Sequence, residues 1–239
     1  MSRLAIVKTG ETLPELVTRR GDFEVWIASG LGLEPGAVDV IRVDRGEVLP
    51  DPRSPAGVVV TGSSAMVTDR EPWSERTGDW LARVARADVP LLGICYGHQL
   101  LAEALGGRVG DNPRGREIGT VEVRLLDAAA DDPLLGGLGP SFPAHATHVQ
   151  SVLALPPGAR HLGESDGDPH QAFAWGENAW GVQFHPEFDA DVMRGYLDGR
   201  RARILAEGLD ADGLRAAVTE APAGPRILRR FAGRVLEPR

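Results

Sequence analysis

The chain has 239 residues, 42% of them hydrophobic, which suffices for one large domain with a real core; the length alone would allow two. With 34 acidic against 26 basic residues the formal net charge is −8, which argues against nucleic acid or an anionic membrane as the main partner, since either needs a basic face. The single cysteine, Cys95, excludes an intramolecular disulfide, and no Cys/His cluster offers a structural zinc site.

The opening Met1-Ser2-Arg3-Leu4-Ala5-Ile6-Val7-Lys8 turns polar too soon for a signal peptide, and no apolar run is long enough to span a bilayer, so a cytoplasmic protein is expected. Leu4-Ala5-Ile6-Val7 reads as a buried first strand and Val38 to Val43 as a second. Gly57-Val58-Val59-Val60 is a third, ending at Thr61-Gly62-Ser63-Ser64. Val89 to Ile94 is a fourth, ending at Cys95. Between the last two, Trp73, Trp80, Leu81 and Val84 recur at helical spacing over 73–87. After Cys95 a helix is expected from Gln99 to Leu105, closed by Gly106-Gly107. Continuous apolar strands separated by helices imply an α/β fold with a mainly parallel sheet covered on both faces.

The second half reads differently. Thr120 to Leu125 alternates as a half-exposed strand does, and 171–175 and 180–184 flank Gly176-Glu177-Asn178, a hairpin turn. A helix is expected over 191–207, a break at Gly208, a second helix over 211–218, and a short last helix after Pro222-Ala223-Gly224-Pro225. Met193, Tyr196, Leu197, Ile204 and Leu205 would share one apolar face, either capping the sheet or meeting a partner. The terminal arginines (Arg226, Arg229, Arg230, Arg234, Arg239) read as a solvated helix face.

Chemistry concentrates in two places. Gly93-Ile94-Cys95-Tyr96-Gly97 joins a buried strand to a helix and has the pattern of a G-x-nucleophile-x-G elbow with cysteine as nucleophile. Such a turn is sharp, so small residues must flank it. It exposes the thiol at the carboxyl edge of the sheet and at a helix N-terminus, whose dipole favours the thiolate. A thiol nucleophile needs a base, and the base needs an orienting group. His185-Pro186-Glu187 offers both, with the two side chains on one face of an extended segment. The backbone N–H groups of Tyr96 and Gly62 are candidate oxyanion donors. His98 is expected to pack on its helix, His145 and His148 to be hydrogen-bonded loop residues rather than a metal pair, and His161 and His170 to lie on the surface.

Gly93-Ile94-Cys95-Tyr96-Gly97-His98-Gln99, followed about ninety residues later by Gly181-Val182-Gln183-Phe184-His185-Pro186-Glu187-Phe188, resembles the class I glutamine amidotransferase family. Within it the chain is most like the glutaminase domain of GMP synthase and its stand-alone relatives. The resemblance covers roughly residues 1–190, taken as the catalytic domain, with 191–239 a helical extension packing on that domain or on a partner. It implies an open, mostly parallel, flavodoxin-like three-layer fold and hydrolysis of the glutamine side-chain amide through a γ-glutamyl thioester. It also implies Cys95, His185 and Glu187 as the triad, Gly62 and Tyr96 at the oxyanion, Gln99 in glutamine binding, and His148, Val149 and Gln150 around its α-amino and α-carboxylate groups. The sequence departs from GMP synthase at Thr61-Gly62-Ser63-Ser64, where that enzyme has Gly-Gly-Pro, and at His98, where it has Met. Similar Cys-x-Gly-His-Gln elbows occur in γ-glutamyl peptidases.

No P-loop or second nucleotide-binding loop is present in the sequence. The expected partners are therefore glutamine or another γ-glutamyl compound, a separate synthase subunit that accepts the ammonia, and a second copy of the chain through the C-terminal face. A self-sufficient γ-glutamyl peptide or amide hydrolase is the alternative, and a binding or regulatory protein without turnover a lesser one. The covalent chemistry needs only protein groups, so no cofactor and no metal is expected.

Overall fold

The computed structural model describes residues 3–236; Arg239, Met1 and Ser2 lie outside the described residues. The strands, in chain order, are β1 (Leu4–Lys8), β2 (Val38–Arg42), β3 (Gly57–Val60), β4 (Leu91–Ile94), β5 (Arg108–Asp111), β6 (Glu117–Leu125), β7 (Ser141–His148), β8 (Gln150–Ala154), β9 (Arg160–Glu164), β10 (Ala172–Trp175) and β11 (Ala179–Val182). The helices are α1 (Pro14–Arg20), α2 (Phe23–Leu31), α3 (Pro72–Arg86), α4 (Tyr96–Ala104), α5 (Ala190–Gly199), α6 (Arg201–Ala206), α7 (Ala211–Ala216) and α8 (Ala223–Leu236).

Nine strands form one sheet in the order β2-β1-β3-β4-β11-β10-β9-β6-β7, while β5 and β8 pair separately. From β2 through β11 all neighbours are parallel, which is the flavodoxin-like order. From β11 to β7 all are antiparallel. The hairpin expected at 176–178 forms, with Trp175 opposite Ala179.

The period-2 alternation of the parallel strands divides their side chains between two layers. Ile6, Val59, Leu92 and Trp180 point to one side and join Ile27, Met193, Ile227 and Phe231 from α2, α5 and α8. Val7, Val58, Val60 and Leu91 point to the other and join Trp80, Leu81, Val84 and Leu101 from α3 and α4. A strand buried on both faces must be apolar throughout, which is why β3 is all Val after its first residue.

Element boundaries differ from the sequence expectations for identifiable reasons. The helix after Cys95 starts three residues earlier than expected, at Tyr96, because the elbow itself turns the chain into helix. The helix expected over 191–207 is two helices, broken at Arg200 (φ −103°, ψ 6°) after Gly199, a poor helix former. The last helix begins at Ala223 and not after Pro225, since Pro is tolerated in a first turn. Of the expected apolar face, Met193, Tyr196, Leu197 and Ile204 are buried and Leu205 is exposed. The arginines of α8 do more than meet water: Arg230 donates to Leu134 O (2.8 Å) and Gly136 O (2.7 Å), and Arg234 to Asn178. No helix among the described residues is long and apolar enough to cross a membrane.

Two helices absent from the sequence reading, α1 and α2, cover the edge of the site. Asp22 fixes the start of α2: its carboxylate accepts from Phe23 N (2.8 Å) and Thr12 N (2.9 Å), and pairs with the buried Lys8 ammonium at 2.6 Å. That cap sets Phe23 against the imidazole of His185.

Candidate active site

The carboxyl ends of β3, β4 and β11 carry Gly62, Cys95 and His185, so three adjacent parallel strands deliver the site to one edge of the sheet. Cys95 sits between β4 and α4 with φ +51° and ψ −99°, outside the regions an L-residue ordinarily occupies. The flanking glycines make this turn possible. A Cβ on Gly93 would lie 2.4 Å from Gly97 O, and one on Gly97 would lie 2.7 Å from Val60 O. Backbone cannot yield as a flexible side chain does, so Gly93→Ala is expected to destabilise the fold by about 1–3 kcal/mol. Denaturant unfolding measures this; a midpoint unchanged from the parent would mean the turn is not as tight as described.

His185 lies just past β11, where its backbone N–H donates to His145 O at 2.8 Å. Its Nδ1 is 2.8 Å from Glu187 Oε1, and both side chains are buried. An ionised carboxylate only accepts, so Nδ1 carries the proton and Nε2 is left for the thiol. Phe188 stacks on the ring (centroids 4.0 Å apart, 16° between planes), with Phe23 on the same stack. Gly62 faces the gap: a Cβ there would lie 2.9 Å from His185 Cε1 and 3.7 Å from Cys95 Cβ. His185 Nε2 has no partner at strict hydrogen-bond geometry among the described residues.

Electrostatics favour an ion pair. Burial pushes the Cys95 thiol up, but the imidazolium of His185 outweighs it, His148 adds to the effect, and the net direction is down. Burial likewise opposes charge on His185, yet Glu187 and then Cys95 raise it to about 10.

A second imidazole–carboxylate pair backs the site. His148 Nε2 is 2.8 Å from Glu117 Oε2, and Glu117 also accepts from Ser165 Oγ and Gln171 Nε2, each at 2.5 Å. Burial disfavours charge on His148, but Glu117 more than offsets this and holds it above the usual range.

Two cavities meet at Cys95. One, of about 140 Å³, is lined by Tyr96, Gln99, His148, Val149 and Gln150. The other, of about 210 Å³, is lined by His185, Phe23, Thr12 and Tyr196. Ser63, Ser64, Cys95, Thr147 and Arg200 line both.

The model of the glutamine amidotransferase class-I family matches residues 26–197. The chain belongs to this family. A glutamine-hydrolysing GMP synthase from Phenylobacterium zucineum is 34% identical over 220 residues, 90% of this chain and 38% of that enzyme. One from Aeropyrum pernix is 41% identical over 158 residues, 66% of this chain and 28% of that enzyme. A single subunit of the glutamine-hydrolysing GMP synthase from Archaeoglobus fulgidus is 35% identical over 148 residues, 59% of this chain and 74% of that polypeptide. The chain therefore spans well under half of the full-length synthases it matches. Among solved structures, a glutamine amidotransferase from Thermotoga maritima superposes with a TM-score of 0.77 at 20% identity, covering 100% of both chains, a likeness of fold. A glutamine amidotransferase from Methylobacillus flagellatus gives 0.71 at 26% identity, covering 98% of this chain and 92% of that one.

Of the residues singled out from the sequence of this family member, Gly62, Cys95, Tyr96, Gln99, His148, Val149, Gln150, His185 and Glu187 converge on one edge of the sheet, while His98, His161 and His170 lie away from it. Tyr96 is the first residue of α4, where a backbone N–H has no intrahelical acceptor, and its hydroxyl is 2.5 Å from Ser74 Oγ on α3. Gln99 lines the smaller cavity while its Nε2 donates to Gln150 O (2.7 Å) and Gln183 Oε1 (2.9 Å), tying the elbow helix to the 148–150 segment. The Val149 carbonyl accepts from Asn112 N at 2.8 Å, and Gln150 Nε2 donates to Thr68 Oγ1 at 2.6 Å. His98 is fully buried against Phe173, and burial holds it neutral with a pKa of about 3. His145 and His148 belong to separate networks, His145 Nδ1 lying 3.3 Å from Thr120 Oγ1. His161 and His170, expected on the surface, are half-buried and bond the carbonyls of Pro169 and Val152 at 2.6 Å. The sequence reading did not find Glu117, Phe23, Arg116 or Arg200. None shares a motif with Cys95 or His185, and each reaches the site from a distant segment.

Proposed function

We propose that this glutamine amidotransferase hydrolyses the side-chain amide of glutamine through a γ-glutamyl thioester on Cys95 and passes the ammonia to a separate synthase polypeptide. The observation that carries the reading is a cysteine in a positive-φ elbow beside an imidazole whose Nδ1 is held by a carboxylate at 2.8 Å. The Cys95 thiolate attacks the amide carbon, and the oxyanion is received by the Tyr96 and Gly62 N–H groups, each worth about 10²–10³ in rate. His185 protonates the leaving nitrogen, then takes a proton from the water that opens the thioester. Glu187 holds the imidazole and stabilises its charged form. Gln99 and the segment His148-Val149-Gln150 shape the pocket for the glutamyl group. Relatives that are one subunit of a GMP synthase, such as the one from Archaeoglobus fulgidus, support an ammonia acceptor on another chain. Residues 1–190 are proposed as the catalytic domain and 191–239 as an extension that completes one wall of the site through Arg200.

Intact-protein mass spectrometry with a glutamine-mimicking electrophile, run beside an ammonia-release assay on glutamine, tests this. The expected result is one adduct, at Cys95, together with ammonia release. Absence of both would sink the proposal, whereas an adduct without ammonia release would leave the nucleophile assigned and the substrate wrong.

A further inference from the structure

Two buried hydroxyls that the proposed chemistry does not use converge on Gly62. β1 and β3 lie side by side and parallel, and their ladder runs on past the strand ends, with Thr61 N donating to Val7 O at 3.1 Å. Thr9 and Thr61 are the first residues beyond those strands, and both are buried. Thr9 Oγ1 lies 3.0 Å from Thr61 O, 3.0 Å from Gly62 O and 3.0 Å from Thr61 Oγ1. Thr61 Oγ1 accepts from Thr9 N at 3.1 Å and donates to Gly62 O at 2.9 Å. Ser63 Oγ ties the next residue to the same loop by donating to Thr9 O at 2.8 Å.

Each hydroxyl has one proton to give. Thr61 gives its own to Gly62 O at the shorter distance, which leaves that of Thr9 for Thr61 O. Two successive carbonyls are thereby held against the hydroxyl pair. No peptide bond among the described residues is cis, and in a planar trans peptide the N–H points opposite to the carbonyl. The N–H groups of Gly62 and Ser63 therefore point away from the hydroxyls, and no carbonyl among the described residues accepts from either. Gly62 itself abuts the His185 ring and Cys95.

We propose that Thr9 and Thr61 are positioning residues: their hydroxyls hold the two peptides flanking Gly62 so that its N–H meets the oxyanion formed on the amide carbon. The inference rests on the thioester reading of Cys95. When the sulfur bonds to the amide carbon, the carbonyl π pair moves onto oxygen, and a donor already fixed in place stabilises it without reorganising. A donor free to turn away would leave glutamine binding as it was and weaken only the transition state, so the loss belongs in kcat.

Kinetics of Thr9→Val on glutamine and on its γ-thioamide test the assignment. In the thioamide, sulfur, a larger and weaker acceptor, replaces the oxygen that becomes the oxyanion. The substitution keeps the shape of the side chain and removes only the hydroxyl. kcat for glutamine should fall about tenfold to a hundredfold with KM nearly unchanged, and the amide-to-thioamide ratio of kcat/KM should fall with it. Alkylation of Cys95 by iodoacetamide, which displaces iodide without forming an oxyanion, should keep its parent rate. Thr9→Ser should restore both kcat and the ratio. Thr61→Val should act in the same direction, and it carries the test where Thr9→Val does not fold. A parent protein that hydrolyses amide and thioamide equally well overturns the proposal without recourse to any variant. So does parent kcat in Thr9→Val and Thr61→Val alike. A loss shared equally by glutamine, the thioamide and alkylation overturns it too, since the hydroxyls would then be struts of the fold. Each of these results leaves the thioester reading standing so long as the parent protein releases ammonia. A parent protein that neither releases ammonia nor forms an adduct at Cys95 removes both.

Discussion

Cys95→Ala is expected to lower glutamine turnover by about 10⁴–10⁶-fold while changing stability by only about 1 kcal/mol. The size of the loss follows from the division of labour at the site. In the proposed mechanism the oxyanion donors are backbone groups and survive the substitution, but without a sulfur there is no acyl carrier, and His185 would have nothing to deprotonate. The smallness of the stability change follows from the local structure. The elbow is shaped by Gly93 and Gly97, whose close approaches to Gly97 O and Val60 O are backbone contacts that do not involve the thiol. The side chain removed is small, and alanine bears the positive φ of position 95 about as well as cysteine does. Steady-state ammonia release paired with a thermal melt measures both quantities. A variant retaining more than about a hundredth of the parent rate would show that the nucleophile lies elsewhere.

The features that were legible in the sequence are contiguous ones. Gly93 to Gly97 encodes its own geometry, because the elbow requires glycine on both sides of Cys95 within five residues. His185-Pro186-Glu187 likewise carries the imidazole and the carboxylate that holds its Nδ1 on one short segment. The parallel strands β1, β3 and β4 announce themselves as apolar runs since both faces are buried. The features that were not legible are joined across the fold. Glu117 meets His148 only because β6 pairs with β7 in a register that sets those two residues opposite each other. Phe23 reaches His185 only because Asp22 caps α2 against Lys8. Arg200 looks like one more charge in a helix until the chain breaks there and turns its guanidinium toward Thr147. The strands β7, β8 and β9 were missed for a different reason. Pro143, His145 and His148 interrupt the apolar pattern of β7, Arg160-His161 opens β9, and all three pair antiparallel, β8 with β5 outside the main sheet.

His185→Ala and Glu187→Gln should separate the two roles of the dyad. His185→Ala removes both the base and the acid, and is expected to cost about 10⁴–10⁶-fold in kcat. Glu187→Gln leaves the imidazole in place but takes away the charge that stabilises its protonated form, and should cost about a hundredfold less. The pH profile gives a second, independent reading. In the parent protein Cys95 is lowered and His185 is raised to about 10, and the two titrate as one pair. The ion pair therefore exists above the pH at which the thiol first loses its proton to the imidazole, and persists until the imidazolium deprotonates near pH 10. Activity falls on the acid side as the pair takes up a proton, and on the alkaline side as the proton needed by the leaving nitrogen is lost. A negative charge at Glu187 favours imidazolium, so its removal lowers the pKa of His185 and must move the alkaline limb of kcat/KM to lower pH. An unmoved alkaline limb, with rate lost evenly across the profile, would mean that Glu187 only orients the ring. A limb that moved upward would contradict the ion-pair account altogether, because no loss of negative charge beside His185 can strengthen its hold on a proton.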